Sequence, residues 1–409
     1  MNRRVTRLAA VAAVIVAGVG VAVTRGARPA PASDTSDAAR VTGFTERGNR
    51  DLQIAVWHQA LAADTGSALV LGQLAALHLQ RAREGGGWDD YLVAERFARR
   101  SLGRRTFRNA PTAATLVSIL LAQHRFVDAK AVAMGLVSYD SETPEYRAIL
   151  AEVSMELGDD AAADSLFRSV WSNRSTLTIA ARLARWLELN GHVPEARRLL
   201  VTASADARSR RDVSHETQAW FALRVGDLEL RAGRLRAAED AFRDGRAIEP
   251  DDPRLFAAMA RLAQAKGAHD DVIAWGERAI GLQLDPGTLG LVGDAYAARG
   301  DTIRAQEYFS ALEAAVSEQP GAFHRAWSLY LLDHGLRVDE VLRRAADELR
   351  ERKDVYGYDV LAWALHQSGQ RAAAQVAMRA ALRLNTRDPL LERHARLIGV
   401  TPVMAMAGN

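Results

Sequence analysis

A turn residue, nearly always glycine, returns about every 34 residues through most of this chain. The series runs His124, Gly158, Gly191, Gly233, Gly267, Gly300, Gly335 and Gly369, and the successive intervals are 34, 33, 42, 34, 33, 35 and 34 residues. Each turn lies between two apolar helical faces, as in "GDLELRAGRLRAAEDAF" from Gly226 and "GDAYAARGDTIRAQEYF" from Gly293. A fixed period of this length with two helices per unit predicts a solenoid of stacked hairpins. A lone hairpin cannot bury its apolar stripe, so each unit needs its neighbours. Alternating, strand-like runs are nearly absent from Phe44 onward. The expected fold class is all-α.

The residues around the turns have physical reasons. Two antiparallel helices joined tightly need a residue that ends a helix in the left-handed region, hence glycine. Close helix approach is expected at Gly226, Gly293 and Ala362, and on the second helix at Ala238, Ala305 and Ala374. Phe242, Phe309 and Met378 are then expected to fill the space between neighbouring hairpins. With Pro250, Tyr296, Leu361 and Ala381, these positions resemble the tetratricopeptide repeat over roughly residues 65 to 390. The resemblance implies a right-handed superhelix of about nine hairpins spanning 44–400, with a short tail over 401–409. The ending resembles a group of bacterial tetratricopeptide proteins with no settled function, on Asp359, Leu361, Ala362, Trp363 and His394. Arg396 stands where that ending has glycine, which implies a different packing of the last turn.

Two irregularities stand out. The interval of 42 between Gly191 and Gly233 predicts longer helices at one junction, around "SADARSRRDVSHETQA". Arg208, Arg210 and Arg211 there read as a solvated helix end or as a site for something acidic. The stretch "REGGGWDDY", Arg83 to Tyr91, reads as a flexible turn onto which Trp88 packs back. It lacks the Lys-Ser/Thr of a phosphate-binding loop.

The first 43 residues have another character. Arg3, Arg4 and Arg7 precede an apolar run from Leu8 to Val23, which Arg25 and Arg28 close. This predicts an export signal or signal anchor over 1–24, followed by a flexible linker over 25–43 rich in Pro, Ala and Ser. Cleavage and retention both remain open, since the run is long for a signal core and short for a spanning helix. In either case the leading arginines place the body outside the cytoplasm, periplasmic or tethered to the inner membrane. The chain has no cysteine, which excludes disulfides and thiolate chemistry. Its basic balance also belongs to the leader. Without those five arginines, 48 of the 53 basic residues remain against 50 acids. No nucleic-acid partner is therefore expected from charge.

Chemistry is scarce. The ten histidines are scattered, without metal-ligand spacing, and there is no G-x-S-x-G elbow. Acid pairs such as Asp251-Asp252 fall at turns, where they cap helix starts. The repeats occupy the body and leave no stretch for a catalytic domain. The expected function is a non-enzymatic scaffold with no cofactor or metal, holding protein or peptide partners in a concave groove. If the chain is phased as the family is, Arg185, Asp227, Arg231, Arg261, Arg325, Trp363 and His366 line that groove. An alternative is an envelope-assembly factor binding a glycan or lipid-linked polymer, with Trp363 as its platform. Trp220, Trp275 and Trp327 read as packing between hairpins. Oligomeric state is open.

Overall fold

The computed structural model describes residues 45–317 and 325–401. The leader and linker, and all but the first residue of the tail, lie outside the described residues. Within them there are twenty α-helices and no strand. Helix α1 (Glu46–Ala63) precedes nine hairpins: α2 (Ala68–Arg81) with α3 (Trp88–Arg104), α4 (Ala110–Ala122) with α5 (Phe126–Tyr139), α6 (Pro144–Leu157) with α7 (Asp160–Ser169), α8 (Leu177–Leu189) with α9 (Val193–Ser209), α10 (His215–Arg231) with α11 (Leu235–Ile248), α12 (Pro253–Ala265) with α13 (His269–Leu282), α14 (Pro286–Ala298) with α15 (Thr302–Ser317), α16 (Arg325–Asp333) with α17 (Val338–Glu348), and α18 (Val355–Gln367) with α19 (Arg371–Ala381). Helix α20 (Pro389–Ile398) covers the end. Each helix packs on its hairpin partner, and first helices also pack on the first helices of neighbouring hairpins, forming an inner layer.

All eight phased turns share one geometry. The turn residue has positive φ, from 58° at His124 to 81° at Gly300. The amide after it donates to the carbonyl four residues upstream of the turn residue, as Arg234 does to Glu229 (2.9 Å) and Leu336 to Leu331 (2.7 Å). This six-to-one bond closes the first helix of each hairpin. Helix starts are fixed by side chains. Asp252, Asp285, Asp354 and Asp388 accept amide hydrogens of the first turns of α12, α14, α18 and α20, and Pro253, Pro286 and Pro389 supply a preset φ.

The expected close approaches are present. A Cβ on Gly226 would lie 2.3 Å from the ring of Phe242, and one on Gly293 would lie 2.4 Å from that of Phe309. Ala238, Ala305, Ala362, Ala374 and Met378 are buried. The interval of 42 residues comes from α9 and α10, each 17 residues long where α12 and α14 have 13. There Arg208 pairs with Asp244 at 3.2 Å and Arg210 with Asp212 at 2.6 Å. Trp220, Trp275 and Trp327 pack against Phe221, Phe256 and Tyr330. The glycine-rich stretch forms a turn broken at Gly85, whose φ is 103°. Ala82–Gly86 continues α2 as a π-helical turn, because Glu84 is held by Gln80 (2.7 Å) and by an ion pair with Arg50. Trp88 begins α3 with its ring 6.0 Å from that of Tyr91. Helix α20 runs through Arg396 and ends at Gly399, whose φ is 81°.

The sequence gives no sign of a second set of contacts. The solenoid coils until the turns of early hairpins meet the loops between late ones. The amide of Lys353 donates to the Leu157 carbonyl (2.9 Å). Arg352 reaches the carbonyl and carboxylate of Glu156, 196 residues away. Arg383 pairs with Asp160 (2.6 Å), and the Thr386 hydroxyl donates to the Leu189 carbonyl (2.6 Å). At the start, Glu46 accepts from the His215 amide and Arg47 pairs with Glu249. Val355, Tyr356 and Leu384 join the apolar cluster of α6 to α8. We call this contact line the seam. It departs from the nearest-neighbour stacking of a simple solenoid.

Gly158 belongs to both systems, since a Cβ there would lie 2.2 Å from the Lys353 carbonyl oxygen, whereas one on Gly267 meets nothing. Gly267→Ala is expected to cost only left-handed strain, about 1 kcal/mol. Gly158→Ala adds overpacking, roughly 1–3 kcal/mol more. Urea unfolding of both variants measures the difference, and equal losses would dissolve the seam.

Candidate functional site

The inner layer carries charge in alternating sign along successive first helices. Glu188 on α8 is nearly enclosed and receives Arg185 (2.9 Å) from its own helix and Arg231 (2.5 Å) and Arg224 (3.6 Å) from α10. Asp227 receives Arg261 from α12 at 3.0 Å and lies 3.7 Å from Arg224. Burial alone would raise the Glu188 carboxyl, but Arg185, Arg231 and Arg224 outweigh it and hold it at about 2. Four guanidiniums thus face two carboxylates, a local excess of positive charge around Glu188 and Asp227.

A second group lies on the late helices. Arg325 pairs with Asp359 (2.8 Å) and sits over the ring of Tyr356, which Arg185 also reaches across the seam (3.2 Å to the hydroxyl). Asp359 also bonds His394 Nδ1 at 2.7 Å, both side chains fully enclosed. Trp363 stacks between His366 and His394 and donates its indole N–H to Asp333 (2.9 Å). It is 6% exposed, too enclosed to serve as a platform for a sugar ring. All seven residues expected on the inner face therefore sit on first helices, on α8, α10, α12, α16 and α18. Six of them are engaged within the chain by ion pair or hydrogen bond, and His366 by stacking. Arg261 is the most open of the arginines. The expectation missed Glu188, Arg224 and the pairing itself.

Solved structures are similar to this chain in part. Human IFIT1, solved as a dimer with PPP-AAAA, has a TM-score of 0.51 at 14% identity, over 78% of this chain and 73% of that one. PilW, described as a widely conserved type IV pilus biogenesis factor, has a TM-score of 0.43 at 18% identity, over 55% of this chain and 99% of its own. A tetratricopeptide repeat protein from Parabacteroides merdae has a TM-score of 0.42 at 15% identity, over 63% and 98%. The likeness to IFIT1 concerns the fold alone. No family model matches the chain, and no curated protein does.

The fold is a tetratricopeptide-like solenoid of stacked helical hairpins. In this tetratricopeptide solenoid the inner charges border a cleft of about 870 Å³ at the seam. Its walls include Glu188 and Arg231 on the early side and Asn385, Arg387 and Glu392 on the late side. A second cavity of about 300 Å³ is lined by Arg325, Glu348, Arg352 and Tyr356. There burial raises the Glu348 carboxyl to about 7, with Asp354 adding to the rise and Arg352 opposing it. Among the described residues, no group of three or more His, Asp or Glu could hold a metal ion.

These two carboxyls give the tetratricopeptide body opposite pH responses. Glu188 has a depressed value, so its stabilisation is present above 4.5 and lost as pH falls from 4.5 to about 2. Glu188→Gln leaves three guanidiniums short of a partner and is expected to cost about 3 kcal/mol at neutral pH. Its acid limb should be flatter than that of the natural chain. Glu348 has a raised value, so its contribution is present below 4.5 and lost as pH rises through about 7. Glu348→Gln should therefore stabilise at pH 8 by about 2 kcal/mol and change little at pH 4. Thermal melts across pH read both.

Proposed function

We propose that this chain is a non-enzymatic scaffold that binds a protein or peptide segment on its inner face. The observation that carries this reading is the excess of guanidinium groups around Glu188 and Asp227, beside a cleft large enough for an extended peptide. Arginines already held by internal acids are pre-oriented, so a partner carboxylate meets donors that lose little freedom on binding. The proposed contacts are Arg231 in the cleft wall, Arg261 and Arg185 on the same inner layer, and Asp227 for a partner cation. Arg325 is proposed at the second cavity, which Tyr356 also lines, with Trp363 and His366 proposed further along α18 on the same inner layer. The partner class is acidic protein segments. The near-neutral body favours protein over nucleic acid as that partner. The basic start and apolar run in the leader support placement on the outer side of the inner membrane. Among the described residues, no helix is long and apolar enough to cross a membrane.

The test is capture from an envelope extract on the immobilised full chain, with Arg231→Gln and Arg261→Gln combined as the control variant. Loss of two charge-assisted bonds should lower retention of the captured protein by about tenfold or more, with an unchanged fold by circular dichroism. Retention of RNA, or of polysaccharide with no protein, would refute the reading. The polysaccharide outcome favours the envelope-polymer alternative, for which the inner face offers no open aromatic among the described residues.

A further inference from the structure

The seam has two free halves. Within the chain, loops following late hairpins cover the turns of early ones. Lys353 lies on Gly158, Asn385 on Gly191 and Pro253 near Gly85. Among the described residues, the turns of the five late hairpins have no such cover. Among the described residues, a Cβ on Gly233, Gly267, Gly300, Gly335 or Gly369 would meet nothing within 4 Å. The loops after the first three hairpins are equally uncovered. Each exposes one aromatic: Phe107 (63%), Tyr139 (49%) and Trp171 (44%). These are the only exposed aromatics among the described residues. Arg108 and Arg174 lie over Phe107 and Trp171, and Arg104 and Arg105 are exposed beside them.

We propose that the loop edge of one copy docks on the turn edge of a second copy, continuing the internal seam between molecules. Three features match the two edges. Both carry exposed apolar side chains, since Ile303 (75%) and Leu336 (45%) stand at the turns of the α14–α15 and α16–α17 hairpins. Both keep the polar pattern of the seam. There Arg352 and Arg383 reach a carbonyl and a carboxylate of the turn edge. On the free edges Arg104, Arg105, Arg108 and Arg174 are the corresponding donors. Asp270 and Asp301 stand within one residue of the turn position of Asp160. Finally, the turn edge is bare where a loop would sit. The two surfaces differ, so the contact is heterologous and each copy offers one of each. It therefore propagates rather than closing as a two-fold dimer.

Sedimentation velocity of the full chain in mild detergent tests this with two variants. Phe107→Glu with Trp171→Glu disables the loop edge, and Ile303→Glu with Leu336→Glu disables the turn edge. All four positions are exposed, and circular dichroism checks the fold. The natural chain should grow in mass with concentration past the dimer, and each variant alone should stay monomeric. An equal mixture should form a dimer and nothing larger, because each variant keeps the surface its partner lacks. A natural chain that stays monomeric throughout the micromolar range would overturn the proposal. So would variants that associate like the natural chain, or a mixture that fails to pair. Monomers that cosediment with phosphatidylglycerol vesicles through Phe107 and Trp171 would assign the loop edge to a lipid surface instead.

Discussion

A hairpin of two short helices buries one apolar stripe between its own halves and must bury the rest against another hairpin. Every element here answers to that requirement. The left-handed turn residue lets the halves lie antiparallel, and the small residues at Gly226 and Gly293 let them lie close. Phe242 and Phe309 then occupy the space those glycines leave. Each added hairpin turns the stack further, and enough of them bring the stack around to meet itself. The seam follows from the repeat, but it needs loop residues such as Arg352, Arg383 and Thr386 that no repeat position supplies.

Stacking also decides the electrostatics of the inner face. Residues one period apart occupy equivalent places on adjacent first helices, so they are neighbours in space. Arg261 and Asp227 are 34 residues apart, as are Arg325 and Asp359, and both pairs are formed. The solenoid therefore balances much of its own inner charge. What it leaves over is local, around Glu188, where three guanidiniums converge on one carboxylate. Specificity for a partner would come from that residue of charge rather than from a uniformly basic groove.

Much of the fold was legible in the chain. The phase of the turns placed eight of the nine hairpins, and the long interval placed the two longest helices of the middle. The close approaches at Gly226 and Gly293 followed from the same phase. The inner-face positions were legible too, since phase assigns a face. Their pairing was readable in principle, because opposite charges one period apart predict contact, as with Arg261 and Asp227. The seam was not. Its contacts join residues 196 and 223 positions apart and fall in loops, where no periodic signal exists. Glycine at 158 looked like one more turn residue, and nothing local distinguishes it from Gly267.

The seam changes the mechanics of the body. A plain stack of hairpins lengthens like an unfastened spring, each joint yielding a little under small loads. Here Lys353, Arg383 and Thr386 clasp one coil to the next. Tension along the axis meets these clasps first, and extension begins only after they part.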